Sequence, residues 1–105
     1  MSTVVVRYRP KPEHADENQR LVEAVFGALA AKQPDGLRYI TLRLADDTFV
    51  HVADVTADTN PLGELDAFAA FSAGVADRCE PGEGPSPQPA TVVGSYALPL
   101  TAAGS

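Results

Sequence analysis

His51 is the residue of this chain best placed to do chemistry. It sits in the run Phe49-Val50-His51-Val52, whose β-branched and aromatic neighbours imply a strand with one buried face. An imidazole titrates near neutral pH, so a neutral one could act as general base on a small acidic C–H or O–H substrate. The plainer reading is a core histidine hydrogen-bonded to a helix group, because buried polar side chains usually find partners. Among the arginines, Arg7, Arg38 and Arg43 could clamp a substrate carboxylate through two parallel hydrogen bonds, or pair with acidic residues of the chain. Arg38 ranks first of the three, because it ends the face expected to carry His51. Tyr8, Phe49, Phe68 and Phe71 complete the candidate ligand-binding set, with core packing as their alternative role.

The other reactive side chains offer less. Tyr39 and Asp54 are expected to meet on the opposite face, where a tyrosine–carboxylate hydrogen bond is structural. Cys79 falls on the buried side of a helix, with Arg78 as its one nearby cation, and reads as packing. His14 opens a helix beside acidic residues in a solvated position. A metal site built on His14 and His51 lacks a third ligand. The chain has no glycine-rich phosphate loop, no serine nucleophile motif and no paired-carboxylate signature. No cofactor and no metal is expected.

These residues must be positioned by a short series of elements. Residues 3 to 9 form a β-branched and aromatic run closed by Pro10-Lys11-Pro12, which predicts a strand. From His14 to Gln33 the period changes. Leu21, Val22, Val25, Phe26 and Leu29 recur at helical spacing, acidic residues open the segment and Lys32 closes it, and Pro34-Asp35-Gly36 ends it. Residues 37–44 and 48–55 then read as a hairpin around Asp46-Asp47. With those two aspartates as the loop, Leu44 pairs with Phe49, Leu42 with His51 and Ile40 with Ala53. That register puts Leu44, Leu42, Ile40, Phe49, His51, Ala53 and Val55 on one strongly apolar face.

Asn60-Pro61 has the form of an N-cap followed by a first-turn proline. Asp66 offers a second cap, so a short turn is expected before the helix proper. Leu65, Phe68, Phe71, Val75 and Cys79 follow at helical spacing. The proline-rich residues 80 to 89 are expected to form an exposed loop, residues 90 to 98 a last strand, and residues 101 to 105 a flexible tail after a single domain spanning 1–100.

At 105 residues the chain suits one domain that buries roughly two-thirds of its unfolded surface. Its 45% hydrophobic and 21% charged residues are those of a folded protein. A net charge of −6 argues against nucleic acid, since no counterion release is gained on a phosphate backbone, and against anionic membrane surfaces. One cysteine excludes an internal disulfide. Met1-Ser2-Thr3 leads straight into Val4-Val5-Val6 without an apolar leader, so a cytoplasmic location is expected.

The order strand, helix, strand, strand, helix, strand implies an α+β, ferredoxin-like βαββαβ fold. Its four-stranded antiparallel sheet would carry two helices on one face. The helix-free face would expose Val50 and Val52, so a homodimer is expected. In these elements, in Gly36-Leu37-Arg38-Tyr39, in Phe49-Val50-His51-Val52 and in Asn60-Pro61, the chain resembles the dimeric α+β barrel superfamily. Its antibiotic-biosynthesis-monooxygenase-like branch is the nearest likeness. The resemblance reaches to about Tyr96 and implies a small hydrophobic or aromatic ligand between the helices and the sheet. It also implies a cofactor-independent monooxygenase-like or isomerase-like activity. The tryptophan of the better-characterised members is absent here, and His51 is not in the helical position of a haem ligand, so neither of their specific activities carries over. A non-catalytic metabolite-binding module and a purely structural dimer with a filled core are the alternatives.

Overall fold

The β-branched run that opens the chain forms β1 (Ser2–Tyr8) in the computed structural model, which describes residues 2–98. The tail from 101 to 105 lies outside them. After one 3-10 turn at Pro12–His14, α1 (Ala15–Lys32) buries Ala15, Asn18, Val22 and Val25, which share one helical stripe. Gln33, in the left-handed conformation, ends α1 by returning its N–H to the Leu29 carbonyl at 2.7 Å. The hairpin strands are β2 (Leu37–Arg43) and β3 (Phe49–Val55). The Asn60 side chain accepts the Leu62 N–H at 3.0 Å and caps a 3-10 turn, Pro61–Glu64. The helix α2 (Asp66–Arg78) follows it, so a short turn does precede the helix, but Asp66 is the first helical residue rather than a cap: the N-cap is Leu65 and no side chain caps the helix. With β4 (Ser86–Ala90) the sheet is antiparallel in the order β2-β3-β1-β4. This is the ferredoxin-like α+β fold. Tyr8 and Phe49 of the sheet pack with Val22 and Val25 of α1 and with Leu62, Leu65 and Phe71 from the α2 region.

Two expectations are corrected. The hairpin register is shifted by one residue: Tyr39 pairs with Ala53, Thr41 with His51 and Arg43 with Phe49. A two-residue hairpin loop needs positive φ at its first central residue, and in type I′ at both, and Asp46-Asp47 contains no glycine to supply it. The chain uses a three-residue loop instead, in which Asp47 alone takes positive φ, at 69°. Leu44 donates to the Thr48 carbonyl at 2.8 Å, Asp47 donates to the Leu44 carbonyl at 3.0 Å, and the Asp46 carboxylate accepts the Thr48 N–H at 3.0 Å. A one-residue shift exchanges the faces of β2. Tyr39, Thr41 and Arg43 therefore share the helix side with His51, while Arg38, Ile40 and Leu42 lie on the helix-free side with Val50, Val52 and Asp54.

The last strand is also displaced. It occupies Ser86–Ala90, all but Ala90 of it within the segment expected to be a loop, and residues 91–98 contain no strand. Pro85, Pro87 and Pro89 fall at alternate positions. Their missing N–H groups therefore all point away from β1, and the edge ladder survives through Ser86, Gln88 and Ala90 opposite Arg7, Val5 and Thr3.

Candidate functional site

Between the sheet and α2 lies a cavity of about 440 Å³. Val4, Val6 and Tyr8 of β1 and His51, Ala53 and Val55 of β3 form its floor, and Phe68, Phe71 and Val75 of α2 its roof. Ser2, Asp58, Asn60 and Pro85 line it as well and are exposed, which marks its mouth. A core filled around His51, as a purely structural dimer requires, is not what the chain forms.

His51 stands on the central strand β3, opposite Val6 of β1 and Thr41 of β2. Tyr8 and Tyr39 are its diagonal neighbours on either side, within reach of aromatic side chains on a pleated surface. Its Nε2 meets the Tyr8 hydroxyl at 2.7 Å. Its Nδ1 meets the Tyr39 hydroxyl at 2.5 Å and that of Thr41 at 3.0 Å. Beyond Tyr8 the contacts continue into the helices. Asn18 Nδ2 donates to the Tyr8 oxygen at 2.9 Å, and Arg78 Nε donates to Asn18 Oδ1 at 3.1 Å. Arg78 is itself buried, donates from Nη2 to the Phe71 carbonyl at 2.9 Å and lies over the Phe71 ring. Gly74 makes room for it, since a Cβ there would stand 3.1 Å from Arg78 Nη1. No buried side-chain nitrogen or oxygen among the described residues lacks a hydrogen-bond partner.

Burial sets the protonation of this cluster. It pushes the His51 pKa down to about 4, so the imidazole is neutral at physiological pH. It pushes the Tyr8 and Tyr39 hydroxyls up, with the Asn18 and Thr41 hydrogen bonds respectively pulling them back only in part. The arrangement is a neutral histidine held between two protonated tyrosines at the floor of an apolar cavity.

Of the residues singled out by sequence, His51, Tyr8, Phe68 and Phe71 line the cavity. Phe49 does not. It is 1% exposed and stacks on Tyr8 with ring centres 5.6 Å apart, as core. Arg38 is on the helix-free face, opposite Asp54 and exposed, so it cannot clamp a ligand in this cavity. Arg43, on the helix side, is bound to Asp16, Gln19 and Asp47. Tyr39 is the main correction. It is not paired with Asp54, which accepts the Thr3 hydroxyl at 2.7 Å, but reaches His51 from the cavity side. Cys79 is a buried packing residue, and burial pushes its thiol pKa up. The His14 imidazole meets only the Glu17 carboxylate on the surface, at 3.1 Å. Sequence reasoning also missed Asn18 and Arg78. The signal for Asn18 was present, because it lies on the stripe of Val22 and Val25, where a polar residue needs a buried partner.

No family model matches the sequence, and no curated protein matches it. Solved structures do resemble it. Rv0793 from Mycobacterium tuberculosis superposes with a TM-score of 0.69 at 16% identity, covering 91% of this chain and 98% of that one. An antibiotic biosynthesis monooxygenase superposes with a TM-score of 0.69 at 15% identity, covering 90% of this chain and 100% of that one. A conserved protein from Methanosarcina mazei Go1 gives a TM-score of 0.65 at 13% identity, over 85% of this chain and 89% of that one. The fold is shared. At these identities the likeness extends to architecture, and the functional reading must come from the site itself.

Proposed function

We propose that this protein binds a small, flat and largely apolar organic molecule, aromatic or otherwise conjugated, beneath α2. One polar group of the ligand would meet the Tyr39–His51–Tyr8 cluster. The observation that carries this reading is the cavity: about 440 Å³, aromatic and aliphatic on its walls, polar at one point of its floor. Small-molecule sites have that size and that distribution of polarity. A second copy of the chain is the proposed partner across the helix-free face. There Val5, Ile40, Leu42, Val50 and Val52 form one apolar surface in register, and Leu42 is 40% exposed.

The finer reading is a cofactor-independent enzyme, oxygenase-like or isomerase-like, in which the His51 cluster exchanges a proton with the ligand. The neighbour described as an antibiotic biosynthesis monooxygenase favours it. One observation favours a non-catalytic binding protein instead: both ring nitrogens of His51 are engaged and its basicity is suppressed.

Ala53 lines the cavity beside His51, so Ala53→Phe fills it from the sheet side. Mass spectrometry of the purified protein under native conditions should find a co-purified ligand in the wild type and none in Ala53→Phe. Equal occupancy of both would refute the site. His51→Ala then separates the two readings: turnover of that ligand is lost if the protein is an enzyme, whereas binding survives if it only holds the molecule.

A further inference from the structure

We infer that the polar end of the cavity is a one-way hydrogen-bond chain running from the Arg78 guanidinium to the Tyr39 hydroxyl. The ligand would present to that hydroxyl an oxygen bearing delocalised negative charge, a phenolate or an enolate. The inference rests on the reading of the cavity as a ligand site and names the chemistry of the molecule held there.

The direction of the chain follows from which groups can only donate. A guanidinium has no acceptor, so Asn18 must turn its carbonyl oxygen toward Arg78, and its amide N–H₂ then faces Tyr8. The Tyr8 oxygen accepts that N–H and sends its own proton to His51 Nε2, 2.7 Å away. A neutral imidazole that accepts at Nε2 carries its proton on Nδ1, and this proton goes to Tyr39, with Thr41 sharing it. The Tyr39 oxygen is thereby an acceptor, from Nδ1 and from the neighbouring Thr41 hydroxyl, and apart from that hydroxyl its own proton has no acceptor among the described residues. Tyr39 lines the cavity, so that proton is free for a ligand oxygen.

Each link polarises the next in the same sense, and the positive charge at the start of the chain has no carboxylate partner among the described ion pairs. Tyr39 is therefore a donor whose strength rises as charge builds on the atom it faces, as in sites that stabilise an oxyanion. A localised carboxylate would sit poorly against the apolar walls of this cavity. A phenolate or enolate spreads its charge into a flat skeleton that Phe68 and Phe71 can cover. Tyr39 is the ligand-contacting residue here, and Asn18 and Arg78 are positioning residues that act through it.

The probes are 4-nitrophenol, whose ionised form has its own absorption band, and 4-nitroanisole, which has the same shape without an ionisable hydroxyl. The wild type should bind both and should favour the phenolate of the first by about tenfold, one unit in the pKa of the bound probe. Tyr39→Phe should keep 4-nitroanisole and lose that preference. Asn18→Asp preserves size and the Arg78 contact but presents an acceptor to Tyr8. The Tyr8 proton then turns toward the carboxylate, His51 donates from Nε2, and the Tyr39 proton is drawn to Nδ1 and away from the ligand. The phenolate preference should vanish, with 4-nitroanisole binding unchanged. A merely structural role for Asn18 would weaken both probes together and overturn the inference. So would a wild type that binds both without preference, or a preference that survives either substitution. Should Asn18→Asp fail to fold, Tyr39→Phe decides alone. If neither probe enters the wild-type protein, the cavity reading itself falls, and this inference with it.

Discussion

The two faces of β3 alternate residue by residue yet treat polar groups in opposite ways. Phe49, His51, Ala53 and Val55 look toward the helices, and there the polar side chains of three strands and two helices join in one connected set. Val50, Val52 and Asp54 look the other way. On that side the register brings together Val5, Ile40 and Leu42, and Asp54 is held by the single Thr3 hydroxyl. A buried polar set is costly unless every member is satisfied, and once satisfied it fixes one arrangement of the groups around it. The helix face has accepted that constraint and kept an empty volume beside it. The open face shows neither feature. It has a plain apolar character, and the difference matches the two roles proposed for these faces, binding of a small molecule on one and pairing with a second copy on the other.

The largest expected effect lies on the helix face. His51 is 5% exposed, and burial holds its folded-state pKa near 4 against 6.5 in the unfolded chain. As the pH falls the unfolded chain takes up the proton first. The stability conferred by a neutral His51 is therefore complete above about pH 6.5 and is lost progressively down to about pH 4. That loss amounts to roughly 3 kcal/mol. His51→Gln can bridge the same neighbours without titrating. Urea unfolding of both proteins from pH 7 to pH 4 should show the wild type losing roughly 3 kcal/mol relative to His51→Gln as the pH falls. Parallel curves would mean that His51 titrates in the fold as it does in the unfolded chain, and the separation of the two faces by polarity would go with it.

The fold was legible in the sequence because its signals are local: the change from strand to helical period at His14, the Asn60-Pro61 cap, the breaks at Pro34-Asp35-Gly36. His51 was legible too, as the lone imidazole of an apolar strand. Its partner Tyr39 was not. Assigning the faces of β2 rested on the assumption that the more apolar side must be the covered one. That assumption fails when the covered side carries a polar set and the open side is itself apolar, since both registers then leave apolar residues on both faces. The register is decided instead by the loop, where Asp47 tolerates the single positive φ. The strand of alternating prolines was missed for a related reason: proline content reads as a breaker unless its parity is examined.

At the other end of β2 the register is held by Gly36, and this supplies the intermediate effect. Its φ is +80°, its carbonyl accepts the Thr56 N–H at 2.8 Å, and a Cβ there would stand 2.7 Å from the Ala57 Cβ. Gly36→Ala meets both backbone strain and a clash, and should cost about 2 kcal/mol in urea unfolding. It should also weaken binding in the cavity, because Tyr39 lies three residues on. A cost under about 0.5 kcal/mol, typical of an indifferent surface site, would show that the start of β2 is not fixed here.

The smallest effect on stability is expected on the open face, where it carries the most information about assembly. Val52 is partly exposed, with Val5 and Ile40 as its cross-strand partners, so Val52→Lys leaves no cavity and buries no charge within one chain. The stability of the single subunit should stay within about 0.5 kcal/mol. In the proposed pair, however, symmetry places the substitution in the interface twice, so two ammonium groups would have to be desolvated against apolar surface. Sedimentation at high micromolar concentration should find the wild type at twice the subunit mass and Val52→Lys at the subunit mass. The helix face should not register the change: Val52→Lys should still bind the cavity's ligand, because its side chain points away from His51. A wild type that sediments as a single subunit would leave the open face without its proposed role. A substituted protein that dissociates and also loses the ligand would show that the two faces of β3 are coupled through the sheet rather than independent.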